Sequence, residues 1–337
     1  MDRPIFNRRE ALRIGLAGAA GLVTACGRGS AAVSITPRVP AQAGTAKPGV
    51  RLAHLTDFHV QPEKRAGEGM AASLRHVMAL DQRPDVIVTG GDLIMDGFEQ
   101  DESRTRLQWD LFTKVLKDEC PARVEHALGN HDIWGWNKSK SRTTGTEPGW
   151  GKKWALETLG MTRAYHSFVV GGWRVIVLDS VAVDPRNPDG YIGRLDEAQT
   201  AWLEAELKAS LEPVVVVSHI PILSMVSVAH SSKTNEKDLQ IEVSARVMHA
   251  DGPSLHRMFA AGAGAGKVKL CLSGHIHRID RVELDGVAYI CDGAVCGSWW
   301  NGPRNRCDEG YGVVDLMPDG TFTHRYQTYG WKAEAEA

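Results

Sequence analysis

The sequence carries no excess of charge of either sign. Its 39 Lys and Arg stand against 41 Asp and Glu, a net charge of −2. No basic surface argues for a nucleic-acid partner, and no acidic tail argues for a charged binding arm. The apolar run near the N-terminus, Ile14–Val23, is too short for an ordinary membrane-spanning helix. With 43% hydrophobic and 24% charged residues, neither wholesale disorder nor a fibrous repeat fits. A chain of 337 residues can bury a full core without disulfide staples. Two domains or one large α/β domain both suit that length. What the chain has in plenty is 13 His and 10 Trp.

Residues 1–26 are expected to be an address rather than part of the fold. Arg8-Arg9 stand before Ile14–Val23, and small residues follow. That order makes a secretory signal. The arginine pair resembles a twin-arginine signal, with Asn7 where Ser or Thr is common and Ala11 where Phe is common. Val23-Thr24-Ala25-Cys26 resembles a lipobox, which implies lipidation of Cys26. A plain signal or an uncleaved N-terminal anchor is the alternative. Each version places the folded part outside the cytoplasm, periplasmic or anchored to the outer face of a membrane. The implied partners are the twin-arginine export machinery and, through a lipid anchor, the membrane. Residues 27–49, rich in Gly, Ala, Ser and Pro, are expected to be a flexible tether. The folded domain is expected over 50–330, with a tail at 331–337.

From Val50 the chain alternates β-rich runs with helical patterns. Strands are expected at Val50–Thr56, Val86–Thr89, Val124–Leu128, Trp173–Leu178, Val214–Val217 and Val268–Leu272. Helices are expected over Met70–Leu80, around Arg104–Leu116 and over Asp196–Lys208. This is a layered α/β pattern. From Ile279 to Tyr326 short strands and turns suggest antiparallel strands, completing the same domain or forming a second sheet.

The polar clusters fall where strands end. Val50–Thr56 runs into Asp57-Phe58-His59, and Val86–Thr89 into Gly90-Gly91-Asp92. Val124–Leu128 runs into Gly129-Asn130-His131-Asp132, and Val214–Val217 into Ser218-His219. Val268–Leu272 runs into Ser273-Gly274-His275-Ile276-His277. In open α/β sheets, ligands bind beyond the carboxyl ends of the strands. Imidazole mixed with carboxylate suits divalent transition metals, not a calcium cage or a thiolate site. Asp57 and His59, like His275 and His277, are two apart, so in extended chain each pair points one way. Seven ligands are too many for one tetrahedral ion but suit two ions bridged by a carboxylate.

In this order, D-x-H, G-D, G-N-H-D, H and G-H-x-H resemble the calcineurin-like metallophosphoesterase superfamily, over roughly Val50 to Tyr326. The resemblance implies a two-sheet β-sandwich flanked by helices, with a dinuclear site of Mn, Fe or Zn at its rim. One ion would take Asp57, His59, Asp92 and His277. The other would take Asp92, Asn130, His219 and His275. Two ions roughly 3.5–4 Å apart would activate water for in-line displacement at phosphorus. His131 would protonate the leaving oxygen, oriented by Asp132 or another carboxylate. Met95 stands where the purple acid phosphatase branch has a Tyr and other branches have Asp; Asp96 is one place further on. The purple branch is therefore disfavoured. The other eight His, among them His54, His230 and His324, are expected to be ordinary core or surface groups.

Two Trp-bearing segments remain. Ile133–Trp154 is a lid or wall for the leaving group, or an Ω-like loop pinned by its own aromatics. Trp299, Trp300 and Arg304 are candidates for substrate binding by stacking and charge. Cys296 and Cys307 flank that second loop and are expected to pair as a disulfide in an exported protein. The expected function is hydrolysis of a small phosphorylated substrate, a phosphodiester or nucleotide more than a monoester. The alternative of another class is a metal-loaded surface lipoprotein that binds phosphorylated ligands without turnover.

Overall fold

A computed structural model describes residues 49–237 and 239–333. The address at 1–26, with Cys26, and residues 27–48 of the tether lie outside the described residues. The described chain begins with β1 (Val50–Leu55), α1 (Ala66–Met78), β2 (Val86–Thr89), α2 (Glu102–Glu119) and β3 (Val124–His126). There follow α3 (Lys138–Ser141), α4 (Lys153–Leu159), β4 (His166–Val170), β5 (Trp173–Val177), β6 (Val181–Asp184) and β7 (Asn187–Gly193). Next come α5 (Glu197–Ala209), β8 (Val214–Val217), α6 (Met225–Ser231), β9 (Ser232–Asn235), β10 (Gln240–Val243) and α7 (Gly252–Ala260). The last strands are β11 (Val268–Ser273), β12 (Asp280–Leu284), β13 (Val287–Cys291), β14 (Gly310–Leu316) and β15 (Phe322–Thr328).

Two large sheets form, in the orders β15-β14-β1-β2-β3 and β12-β13-β11-β8-β5-β4. The expected antiparallel tail is shared between them. β14 and β15 pair antiparallel beside β1, whereas β13 lies parallel to β11 and β12 pairs antiparallel with β13 at the sheet edge. Strand alternation builds the layers. Leu52, Val88, Val177, Val217 and Leu272 pack between the sheets. Their neighbours Ala53, Leu55 and Ile87 face Met70 and Leu74 of α1 and Trp109 and Phe112 of α2. On the other side Ile176 and Val216 meet Leu203 and Leu207 of α5 and Leu255 and Phe259 of α7. The result is a helix–sheet–sheet–helix sandwich, as expected. Asp101 and Asp196 cap α2 and α5 by accepting from Arg104 N and Gln199 N.

The parallel register sets the site. β1 and β2 align Leu55 with Thr89, β2 and β3 align Thr89 with His126, and β8 and β11 align Val217 with Leu272. Strands that end level release their loops at one rim. His54 and His324 both bind Asp292, at 2.7 and 2.8 Å, a core role as expected, although the buried His54 Nε2 has no hydrogen-bond partner.

The loop after β13 covers part of this rim and is pinned by Trp300, which is 2% exposed. The indole Nε1 donates to the His59 carbonyl at 3.1 Å, and the ring packs edge-on against Trp331. It also lies on Gly69 of α1, where a Cβ would overlap the indole. Gly69→Ala gains helix propensity, about 1 kcal/mol, but forces a packed ring to move. A net loss of about 1–2 kcal/mol is expected, seen as a lowered melting temperature with unchanged far-ultraviolet circular dichroism.

Candidate metal centre

Asp57, His59, Asp92, Asn130, His219, His275 and His277 come together at this rim. Their donor atoms form two overlapping groups. In the first, His59 Nε2 lies 3.0 Å from His277 Nε2, 3.5 Å from Asp92 Oδ2 and 3.9 Å from Asp57 Oδ1. His277 Nε2 lies 3.3 Å from Asp57 Oδ1. In the second, His219 Nε2 lies 3.2 Å from Asp92 Oδ2, 3.3 Å from Asn130 Oδ1 and 3.2 Å from His275 Nδ1. Asp92 Oδ2 belongs to both.

The local backbone is not the extended chain expected of the D-x-H and H-x-H pairs. Asp57, His59, Asp92, His275 and His277 have φ of 57°, 43°, 53°, 70° and 53°. Each is left-handed, a conformation that Asp and His tolerate better than most residues but that still costs energy. Such strain clusters where the surroundings over-determine it. Phe58 shows how. Its ring is fully buried edge-on against Phe112, which turns Asp57 and His59 away from the helices. Asp57 accepts from His275 N at 2.9 Å and from Thr56 Oγ1 at 2.6 Å, tying the first loop to the last. Gly274 is needed for that approach, because a side chain there would run into Thr56 and Asp57.

Tautomers follow from the outer hydrogen bonds. His219 Nδ1 donates to Gly90 O at 2.7 Å, His277 Nδ1 to Gly297 O at 2.6 Å, and His275 Nε2 to Arg246 O at 2.7 Å. A carbonyl can only accept, so in each neutral ring the inward nitrogen carries a lone pair. Lone pairs and carboxylate oxygens converging at 3.0–3.5 Å repel unless a cation lies among them. Such separations match the polyhedron edges of an ion with bonds of about 2.1 Å. The donor set therefore fits transition metals.

Electrostatics agree. Burial disfavours charge on His219, but Asp92 outweighs it and lifts the pKa to about 9. His277 is likewise raised by Cys296 and Asp57 against burial. Burial pushes His275 down to about 4. Two buried carboxylates demand nearby positive charge, and dications compete with those protons. Metal loading at pH 7 is expected to release about two protons per chain. Calorimetry in buffers of different ionisation enthalpy reads that number, and a buffer-independent heat would contradict it.

His131 stands beside the first group, with its ring centre 4.8 Å from that of His59 and its side chain 28% exposed. Asp132, expected as one carboxylate to orient it, does something else. It is fully buried, accepts from Leu93 N at 2.7 Å and Gly129 N at 2.8 Å, and so clamps the Asp92 and Asn130 loops together. Asp96 takes that place instead, its Oδ1 3.6 Å from His131 Nδ1. That is an ion-pair distance, too long for a hydrogen bond. The sequence signal was Asp96 itself, one position after Met95.

Other candidates divide. Trp299 faces the site, its ring 4.8 Å from that of His277, and carries the Arg304 guanidinium 4.5 Å from its own centre. Trp300 does not face substrate, because it fills the space behind His59. No disulfide joins Cys296 to Cys307; both thiols are free. Cys296 Sγ turns inward to within 3.9 Å of His277 Nδ1, while Cys307 packs near Gly293. The Trp-rich segment is pinned by its own aromatics. Trp134 and Trp136 are buried, Trp134 packs edge-on against Trp154, and Trp150 Nε1 donates to Gly135 O. Sequence reasoning missed Arg278, which directly follows His277.

A profile of the calcineurin-like phosphoesterase family matches residues 50–278. The chain belongs to that family. It is a phosphoric ester hydrolase, and its family is metal-dependent. A 3′,5′-cyclic-nucleotide phosphodiesterase of Nostoc sp. is 25% identical over 293 residues, covering 82% of this chain and 92% of that protein. The crystal structure of a dimetal phosphatase from Danio rerio superposes with a TM-score of 0.57 at 15% identity, covering 84% of this chain and 97% of that one. The second likeness is one of fold.

Proposed function

We propose that the protein hydrolyses phosphodiesters, nucleotide esters among them, at a centre of two transition-metal ions. The observation that carries this reading is the convergence of seven nitrogen and oxygen donors into two sets that share Asp92 Oδ2. Asp57, His59, Asp92 and His277 would hold one ion, and Asp92, Asn130, His219 and His275 the other. Imidazole with carboxylate suits Mn, Fe or Zn. Such ions, when bound, activate water and neutralise the charge of phosphoryl transfer.

The chain's own groups complete the chemistry. His131 gives a proton to the leaving oxygen. Against burial, Asp92 and Asp96 raise the pKa of that imidazole, and Asp96 faces its Nδ1. Trp299 walls the opening beside His277 and offers a flat face to a base or sugar. Met95 supplies no tyrosinate ligand, which argues against the purple acid phosphatase chemistry. The Nostoc relative, a phosphodiesterase, supports a diester.

A panel of p-nitrophenyl mono- and diesters, run with Mn, Fe and Zn, tests the reading. Diester turnover should exceed monoester turnover by at least about tenfold, roughly 1.4 kcal/mol in the barrier. Turnover of monoesters alone would make the protein a phosphatase. Tight phosphate binding without turnover of either would make it a binding protein.

A further inference from the structure

A cleft of about 250 Å³ opens beside the donor cluster. His275 and His277 form its inner edge, and Arg278, Arg304, Trp299 and His230 line the rest. Among the described residues no carboxylate lines it. Asp280, the nearest acidic residue in sequence after Arg278, is engaged by Ser224 Oγ at 2.8 Å and Val226 N at 3.0 Å. Two guanidiniums thus share a cleft, and burial, then the neighbouring Arg278, disfavours charge on Arg304.

The arrangement is built into the loop. Arg304 and Cys307 exchange backbone hydrogen bonds at 2.9 Å, and Trp300 anchors the segment to His59. Trp299 then spaces the Arg304 guanidinium from the His277 ring. Like charges held together by a fixed scaffold favour an anion between them. A cyclic nucleotide or simple diester has one phosphate, and the donor cluster uses it. The pair of arginines is left over.

We propose that this cleft is a second anion subsite, and that the preferred substrate is a phosphodiester or phosphoanhydride bearing a further phosphate group. The proposal rests on the phosphodiesterase reading above. Trp299 would hold the part of the substrate between the scissile phosphate and the second one. Arg278 and Arg304 would bind the second phosphate by charge-assisted hydrogen bonds.

The test compares equilibrium binding of thymidine 3′,5′-bisphosphate and thymidine 5′-monophosphate to the metal-loaded protein. The wild type should bind the bisphosphate at least about tenfold more tightly. In Arg278→Gln/Arg304→Gln that preference should fall below about twofold, and Arg304→Gln alone should lie between. Rising salt should shrink the wild-type preference. A wild-type ratio near one, or an undiminished ratio in a double variant that melts like the wild type, would overturn the proposal. Because the ratio needs no turnover, it fails separately from the phosphodiesterase reading, which wild-type hydrolysis of bis(p-nitrophenyl) phosphate reports.

Discussion

Asp92→Asn is expected to lower kcat/KM by at least about 10³-fold, roughly 4 kcal/mol in the barrier, and to cost the protein bound metal. Asp92 does two jobs with two oxygens. Oδ1 accepts from His131 N at 2.8 Å, while Oδ2 lies 3.5 Å from His59 Nε2 and 3.2 Å from His219 Nε2. The asparagine can keep the first contact through its amide oxygen. It presents an NH2 group, with no lone pair to give, at the shared position. It also removes the charge that lifts His219 above its ordinary pKa. The wild type should melt several degrees higher with metal than after chelation, since binding to the folded state alone stabilises it. The variant should show little of that gain. Metal analysis beside melting curves separates lost ligation from lost fold, and a variant that keeps two ions and full turnover would refute the assignment.

His131→Ala should leave two metals bound yet lower kcat by about 10²–10⁴-fold on substrates that expel an alkoxide. On p-nitrophenyl esters, whose leaving group needs no proton, the loss should be under about tenfold. A merely structural His131 would give equal losses on both. Asp96→Asn adds a pH signature. Burial pulls the His131 pKa down, but Asp92 and Asp96 together hold it above the ordinary value. A general acid works only while protonated, so activity falls as pH rises through that pKa. Removing the Asp96 charge lowers the pKa and moves the alkaline limb to lower pH. An unmoved limb would remove Asp96 from this role.

The fold was legible because its strands are apolar on both faces. Val86–Thr89 and Val214–Val217 are wholly buried, and such runs stand out between polar segments. The β6–β7 hairpin and α6 were not, since Val183 and Met225 are exposed, β7 buries only its second half, and α6 buries only Ser227. All seven ligand candidates were legible, as each sits just past a strand, but the reason given for two pairs of them was incomplete. Asp57 and His59 converge through left-handed residues braced by Phe58, not through strand alternation. Adjacent residues with one chemistry also escape sequence reading. Trp299 and Trp300 both have positive φ, and tertiary packing alone sends one to the site and the other under His59. Asp96 and Asp132 divide in the same way, because the free N–H groups of Leu93 and Gly129 claim Asp132. Cys296 turns toward His277 rather than Cys307, a choice that spacing does not encode.

The central claim, a phosphodiesterase centre of two ions sharing Asp92, is tested most directly by titrating chelated protein with Mn and following both bound metal and hydrolysis of bis(p-nitrophenyl) phosphate. Occupancy and activity should rise together and level off at about two ions per chain. A plateau at a single ion, or full occupancy with no hydrolysis under any of Mn, Fe and Zn, would contradict it.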